Sequence, residues 1–195
     1  MLKRILDIIL SFFGIIIFSP VFTVIAIIIK ITSNGSIFFV QKRVGQHAKI
    51  FKMFKFRTML NNSDSNTISV LGDERITPFG AILRKYKLDE LPELINVLLG
   101  DMSFVGPRPD VPGYADLLTG ENRNILKLRP GITGPASIKY SNEEEILSKK
   151  ENPMEYNNNV IYPDKVRLNL EYYYNNSIWI DIKIIFATIS KILKF

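Results

Sequence analysis

The 195-residue chain has no cysteine and a single histidine, His47. Disulfides, a thiol nucleophile and Cys-based zinc sites are thereby excluded. A His-x-x-x-His metal pair cannot form, and a Ser-His-Asp triad would have no histidine to spare. Any acid–base or nucleophilic work therefore falls to Asp, Glu, Lys or Tyr. The phosphate-binding fingerprints G-x-G-x-x-G and G-x-x-x-x-G-K-[ST] are also missing, so nothing supports a Rossmann or P-loop site. There is no internal repeat and no linker long enough to divide the chain, which reads as one domain over residues 1–195. Negative charge is missing too: no acidic residue occurs from Ile8 to Ser63.

That same stretch carries Lys30, Lys42, Arg43, Lys49, Lys52, Lys55 and Arg57, and the whole chain has a net charge of +6. Anionic partners follow: nucleic acid, anionic lipid headgroups or phosphorylated small molecules. Asp7 and Lys30 bracket 22 uncharged residues, Ile8 to Ile29, long enough for a membrane segment. A cleaved signal peptide fits less well, because the run is long, Asp7 interrupts its start and no small-x-small cleavage site follows. Lys3 and Arg4 precede the run and the basic cluster follows it. The positive-inside rule wants both flanks in the cytoplasm, which a straight span cannot give. Ser19-Pro20 lies near the middle. Proline removes a backbone donor and bends a helix, and the Ser19 hydroxyl can bond the carbonyl so freed. The residues alone leave open a re-entrant helix with both ends cytoplasmic or an ordinary kinked span.

Two segments rich in β-formers, Ser36–Arg43 and Lys49–Thr58, flank Gly45-Gln46-His47 and predict a hairpin. Asn61–Ser69 is polar and reads as a surface loop. Thr77-Pro78 predicts an N-cap with proline at the first helical position, opening a helix to about Tyr86. In the next helix Pro92 must lie in the first turn and Gly100 suits the stop, so Asp89 and Glu90 fall at its N-terminus. The proline- and glycine-rich runs Ser103–Gly113 and Arg129–Gly134 read as rigid loops. Glu143, Glu144 and Glu145 read as a solvated helix face. Ser177–Phe195 reads as an amphipathic helix. Ile178, Ile182, Ile185, Phe186, Ile189, Ile192 and Leu193 project from one side, with Asp181, Lys183, Ser190, Lys191 and Lys194 on the other.

Asp89-Glu90 is the best candidate for chemistry. A helix N-terminus holds a carboxylate ionised and attracts phosphate. Such a carboxylate can attack phosphorus, and an adjacent one helps hold Mg²⁺. Capping alone accounts equally for acidic residues there. Pro107-Arg108-Pro109 fixes a guanidinium suited to phosphate, or is simply a rigid surface loop. The glycines of Arg129–Gly134 allow close backbone approach and anion nests. Lys55 and Arg57 alternate with Phe54 and Phe56, which places two cations on one strand face, as an ordinary half-buried strand also does. Glu93, Asp101 and Asp110 are spare carboxylates that the sequence does not rank.

Taken in order, the basic N-terminus, the hydrophobic run with Ser19-Pro20, KFRTM (Lys55–Met59), LDELPEL (Leu88–Leu94), GDMSFVGPRP (Gly100–Pro109) and RPGITG (Arg129–Gly134) resemble the bacterial sugar transferase family. The closest resemblance is to its small monotopic polyprenyl-phosphate phosphoglycosyl transferases. It covers roughly Lys3 to Lys191. It implies a mainly α, α/β fold: a re-entrant membrane helix broken at Ser19-Pro20 (residues 1–31), a catalytic part (32–195) with a short hairpin, and interfacial amphipathic helices. It also implies transfer of a sugar phosphate from a UDP-sugar to undecaprenyl phosphate, releasing UMP, as the first membrane step of O-antigen, capsule, exopolysaccharide or glycoprotein glycan assembly. Asp89 would be the nucleophile, with Glu90 beside it and both near Mg²⁺. Arg108 would hold phosphate, and Arg129, Lys55 and Arg57 are the further substrate-binding candidates. The expected location is the inner-membrane lipid of a bacterium, with the site facing the cytoplasm. Nucleic acid is not an expected partner, because anchoring already explains the basic cluster. The oligomeric state stays open, a homodimer included. A membrane-associated scaffold without catalysis, or a glycosyl transferase releasing UDP, are the alternatives. Two departures from the family pattern bear on sugar preference. Pro135-Ala136-Ser137 stands where many members have a residue followed by Ala-Gln, and Asn169-Leu170-Glu171-Tyr172 stands where many have Asp-x-Tyr-Tyr.

Overall fold

A computed structural model describes residues 2–60 and 75–192. The expected polar loop Asn61–Ser69 and the helix-face residues Leu193 and Lys194 lie outside the described residues. The fold is mainly helical with two short two-stranded sheets. Its first element, α1 (Leu2–Thr32), is long and apolar enough to cross a membrane, with only 11% of its most apolar window buried in the protein. The backbone stays helical through Pro20. The expected break is therefore the re-wiring of one hydrogen bond, not an interruption. Pro20 has no N–H to offer the Ile16 carbonyl four residues earlier, and the Ser19 hydroxyl donates to that carbonyl at 2.8 Å.

One stripe of α1 is seated on the body of the protein and the rest is bare. Near the start, Lys3 Nζ donates to the Val105 carbonyl (2.8 Å), the Tyr172 hydroxyl (2.9 Å) and Asp181 (2.7 Å). Arg4 donates to the carbonyls of Val97 and Leu98, filling acceptors that a helix C-terminus leaves open. Asp7 is buried and accepts from the Ser103 hydroxyl and the Phe104 amide, both at 3.1 Å. Near the far end, Ile25 and Ile29 pack against Phe56 and Leu83. These positions recur at the spacing of one helix face. Phe12, Phe13, Ile16, Ile17 and Val24 on the other faces are exposed.

The hairpin forms as expected, with β1 (Phe38–Val44) antiparallel to β2 (Ile50–Phe56) and Phe38 opposite Phe56. Its turn places His47 and Ala48 in the left-handed region (φ 57 and 60). Helix α2 (Pro78–Lys85) starts where the sequence predicts, the Thr77 hydroxyl accepting from the Gly80 amide at 2.9 Å. Helix α3 (Glu93–Leu99) ends at Gly100 with φ 98. The buried Asn96 docks α3 on β2: its Nδ2 donates to the Lys52 carbonyl (2.7 Å) and its Oδ1 accepts from the Phe54 amide (3.0 Å).

The two runs read as rigid loops each hold a short strand. β3 (Ser103–Val105) pairs in parallel with β4 (Gly131–Thr133). Alternation was too brief to register in three-residue strands surrounded by Pro and Gly. The pairing continues past β3, with the Gly106 amide donating to the Thr133 carbonyl (2.9 Å) and the Gly131 amide to the Pro107 carbonyl (2.8 Å). The backbones approach so closely that a Cβ on Gly106 would sit 2.3 Å from the Arg129 carbonyl oxygen.

Short helices α4 (Pro135–Lys139), α5 (Glu143–Ser148) and α6 (Pro153–Tyr156) lead through a π-helical turn into α7 (Tyr162–Asn175), then α8 (Ile178–Ile192). The glutamates of α5 are less solvated than expected. Glu143 pairs with Lys165 and Glu144 with Arg84, leaving Glu145 exposed and paired only with Lys149 one turn on. In helix α8, Asp181, which projection sets opposite the apolar side, is buried beside Lys3 and Tyr172, whereas Ile182, Phe186 and Ile189 of the apolar side are exposed. The ion pair with Lys3, 178 residues away, decides which face turns inward.

Candidate active site

Asp89 and Glu90 lie in a 3₁₀ turn, Leu88–Glu90, one step ahead of α3 and not in its first turn. Pro92 is the cause. It has no N–H for the Leu88 carbonyl, so the segment closes with three-residue bonds, Leu91 N–H to Leu88 and Leu94 N–H to Leu91. Lys87 enters the turn in the left-handed region (φ 56).

The adjacent carboxylates meet opposite environments. Asp89 is buried, and its Oδ1 has no hydrogen-bond partner among the described residues. Glu90 is gripped. Its Oε1 accepts from Arg108 Nη2 and from Lys55 Nζ at 3.0 Å, while Arg108 Nη1 lies 3.4 Å from Oε2. Burial, then the neighbouring Glu90 charge, push the Asp89 carboxyl above its ordinary range. Burial acts on Glu90 in the same sense, but Arg108 and Lys55 outweigh it and hold Glu90 well below. A third carboxylate, Glu93, is 1% exposed and 3.3 Å from Lys55. Burial raises it to about 7, against the pull of Lys55. Glu90, in turn, raises the pKa of Arg108, which stays a fixed cation.

Lys55, Asp89, Glu90 and Arg108 all line one broad cleft of about 2130 Å³. The Pro-Arg-Pro loop that presents Arg108 is held from two sides. β4 holds Gly106 and Pro107, and the hairpin holds the rest: the Val44 amide donates to the Asp110 carbonyl (2.9 Å) and Arg43 to the Pro109 carbonyl (3.2 Å). Asp110 also lines the cleft, and burial raises it to about 6 against the pull of Lys165 and Arg43.

Two candidate substrate-binding residues bond to backbone carbonyls, Arg57 at the edge of the cleft and Arg129 outside its lining. Arg57 is buried, with its guanidinium on the Asn34 and Ser33 carbonyls and the Ser33 hydroxyl, tying β2 to the end of α1. Arg129 Nε donates to the Gly100 carbonyl at 3.0 Å, and its side chain is not among those lining the cleft. No anion nest forms in its motif: Gly131 and Gly134 have no left-handed φ, and the Gly131 amide is spent on Pro107. Of the unranked carboxylates, Asp110 lines the cleft, Glu93 is buried behind it against Lys55, and Asp101 sits beside Asn96 at the end of α3. Glu93 follows Glu90 by three residues and Asp89 by four, the spacing of one helix face, and that spacing was a signal available in the sequence.

A scan against family models matches the bacterial sugar transferase family over residues 1–195. The chain belongs to the bacterial sugar transferase family. Among curated members, it is 36% identical to the UDP-N-acetylgalactosamine-undecaprenyl-phosphate N-acetylgalactosaminephosphotransferase of Aeromonas hydrophila, over 98% of this chain and 44% of that protein. It is 40% identical to the UDP-glucose:undecaprenyl-phosphate glucose-1-phosphate transferase of Klebsiella pneumoniae, over 97% of this chain and 39% of that protein. It is 33% identical to the exopolysaccharide production protein ExoY of Rhizobium meliloti (strain 1021), over 97% of this chain and 84% of that protein. The chain thus spans less than half the length of the first two relatives.

Within this family member, the donor set for a metal is small. Among the described residues no group of three or more His, Cys, Asp or Glu is placed to hold an ion. The dyad offers Asp89 Oδ1, buried and unbonded, and Glu90 Oε2. Mg²⁺ commonly takes one or two protein carboxylates and completes its shell with substrate phosphates and water. Asp89 and Glu90 are thus the residues that would hold a magnesium ion.

Proposed function

We propose that the protein transfers a sugar 1-phosphate from a UDP-sugar to undecaprenyl phosphate, releasing UMP, through a covalent intermediate on Asp89. The observation that carries this reading is the contrast within the dyad. Asp89 Oδ1 is buried and unbonded, while Glu90 is locked by Arg108 and Lys55. A carboxylate used only for capping or pairing would have its oxygens engaged.

In the first step an Asp89 carboxylate oxygen attacks the β-phosphorus of the UDP-sugar. The bond from that phosphorus to the oxygen bridging the α-phosphate breaks, and UMP leaves with the bridging oxygen. In the second step a phosphate oxygen of the lipid attacks the same phosphorus and the bond to Asp89 breaks. Arg108 and Lys55 present fixed positive charge to the phosphoryl oxygens, with Glu90 holding both in place. Asp89 and Glu90 would hold a Mg²⁺ ion, and such an ion would supply charge that favours ionised Asp89 and screens the diphosphate. Similarity to the named phosphotransferases supports the reaction class.

The same reading makes the protein monotopic, with α1 re-entering the cytoplasmic leaflet of the inner membrane. A straight 31-residue helix is about 46 Å long. Crossing the bilayer would carry one end away from a body on the other side, yet Lys3, Arg4 and Asp7 at one end and Ile25 and Ile29 at the other touch a single body. The exposed apolar side chains of α1 and of α8 are the surface that lipid would cover.

The test is nucleotide release by protein in nanodiscs with Mg²⁺, a UDP-sugar panel and undecaprenyl phosphate. Wild type should release UMP, and Asp89→Asn should lose at least about a thousandfold in rate, as expected for removal of a nucleophile. Release of UDP, or UMP release that persists in Asp89→Asn, would refute the mechanism.

A further inference from the structure

A second set of buried polar atoms lies in the cleft away from the dyad. The hydroxyl oxygens of Ser137, Ser141 and Tyr162 and the Oδ1 of Asn169 are shielded from solvent, and no described residue hydrogen-bonds to them. All four residues line the cleft that holds Asp89. Asn169 is itself more than nine-tenths buried. Buried polar atoms without protein partners are rare and costly. Four of them on one wall form a group that protein packing does not explain.

The wall has a definite construction. Ser137 is on α4 and Ser141 just follows it, while Tyr162 and Asn169 share one face of α7, seven residues apart. The two helices are clamped by Asp164, which accepts from Lys139 (2.6 Å) and from the Tyr140 hydroxyl (2.7 Å). Tyr162 and Lys165 of α7 line the same cleft as Pro107, Arg108, Pro109 and Asp110. The unpartnered groups of the wall are neutral, hydroxyls and an amide that both donate and accept, and Lys165 between them is paired with Glu143. The dyad region is charged.

We infer that Ser137 and Asn169, with Ser141 and Tyr162, form the subsite that reads the sugar of the donor, by hydrogen bonds to its hydroxyl or N-acyl groups. The inference rests on the UDP-sugar reading above. Charged phosphates belong with Lys55 and Arg108, and the neutral polyol belongs on the neutral wall. Sugar and uridine share this hydrogen-bonding chemistry. One observation favours the sugar. The Aeromonas and Klebsiella relatives are both named for UDP donors and differ in the sugar named. Rotation about one side-chain torsion re-aims each hydroxyl or the amide towards a bound ring.

The test is binding to the full chain in nanodiscs with Mg²⁺, in an Asp89→Asn background that blocks turnover. Affinities are measured for UDP, UDP-glucose, UDP-N-acetylglucosamine and UDP-N-acetylgalactosamine, with and without Asn169→Leu or Ser137→Ala. Each variant should narrow the spread of affinities among the three UDP-sugars by about fivefold to tenfold, the worth of a buried hydrogen bond. UDP affinity should stay put. Thermal stability should not fall, because neither Ser137 Oγ nor Asn169 Oδ1 has a hydrogen-bond partner among the described residues. An equal loss for UDP and every UDP-sugar would make the wall a uridine pocket and overturn the assignment. An unchanged spread, with or without a lowered Tm, would overturn it in favour of a packing role. A parent protein that binds UDP but does not distinguish the sugars also overturns it, while one that binds no uridine nucleotide defeats the donor reading itself.

Discussion

Replacing Glu93 by glutamine should make the protein more stable in neutral and alkaline solution. Glu93 is 1% exposed and faces a lysine already shared with Glu90, at 3.3 Å against 3.0 Å. Burial lifts its carboxyl from 4.5 to about 7. A raised acid favours the folded state only while it is protonated. Its contribution is complete below about pH 4.5, where folded and unfolded chains both carry the proton. As the pH climbs the unfolded chain gives up its proton first, and the contribution is lost by the time the pH passes about 7. Above that point wild type buries a charge that glutamine does not. The difference is on the order of 3 kcal/mol, taking about 1.4 kcal/mol per pH decade between the two values. For a chain of this size that is roughly 6–12 °C in Tm. The assay is thermal unfolding in nanodiscs in magnesium-free buffer from pH 4.5 to 8.5, wild type beside Glu93→Gln. The curves should meet at the acid end and diverge to a plateau above pH 7, with the variant higher. A variant that is less stable at pH 8 would refute the reasoning. It would mean that Glu93 is ionised and that its pair with Lys55 outweighs desolvation.

Three further outcomes follow from other parts of the molecule. Gly106→Ala should cost roughly 2–4 kcal/mol, because the added Cβ meets the Arg129 carbonyl at 2.3 Å; a Tm within 2 °C of wild type, as a rough criterion, would show that the β3–β4 junction yields. Asp181→Asn removes the carboxylate that Lys3 and Tyr172 share and should cost about 1–3 kcal/mol. Its UMP release at 20 °C should be nearly unchanged, and both quantities can be read from the same preparation by unfolding and turnover. Stripping Mg²⁺ with EDTA should abolish UMP release and re-addition should restore it, whereas release that survives chelation would remove the metal from the reaction.

The local elements were legible because their signals are local. Thr77-Pro78 cap a helix by chemistry confined to four residues, and the hairpin announces itself by β-formers on both sides of a turn. The dyad was legible as a pair of carboxylates ahead of a helix, but not as a contrast. Nothing in the order of residues says that Arg108, 18 positions on, grips Glu90 and leaves Asp89 alone. The same limit hides the other partners. Arg57 and Arg129 carry the right charge for phosphate, and backbone carbonyls of distant segments bond to both. A helical projection of α8 sets Asp181 opposite the apolar side but cannot see Lys3, which holds it inside the protein. Strands β3 and β4 escaped because three residues show no period.

The anchoring of the first helical turn has a consequence for how the chain is made. Lys3 finds Val105 only 102 residues later and Asp181 only 178 residues later. Arg4 waits 93 residues for Val97. Most of the protein must therefore be synthesised before the first charged side chains have anywhere to go. α1 must take its place while its own basic end and Asp7 are still unpaired. Contacts so distant along the chain are closed late and slowly. Folding of the body is thus a threading of the last helix, α8, back onto the first, and a pause in synthesis before Asp181 leaves the entry of the chain unsecured.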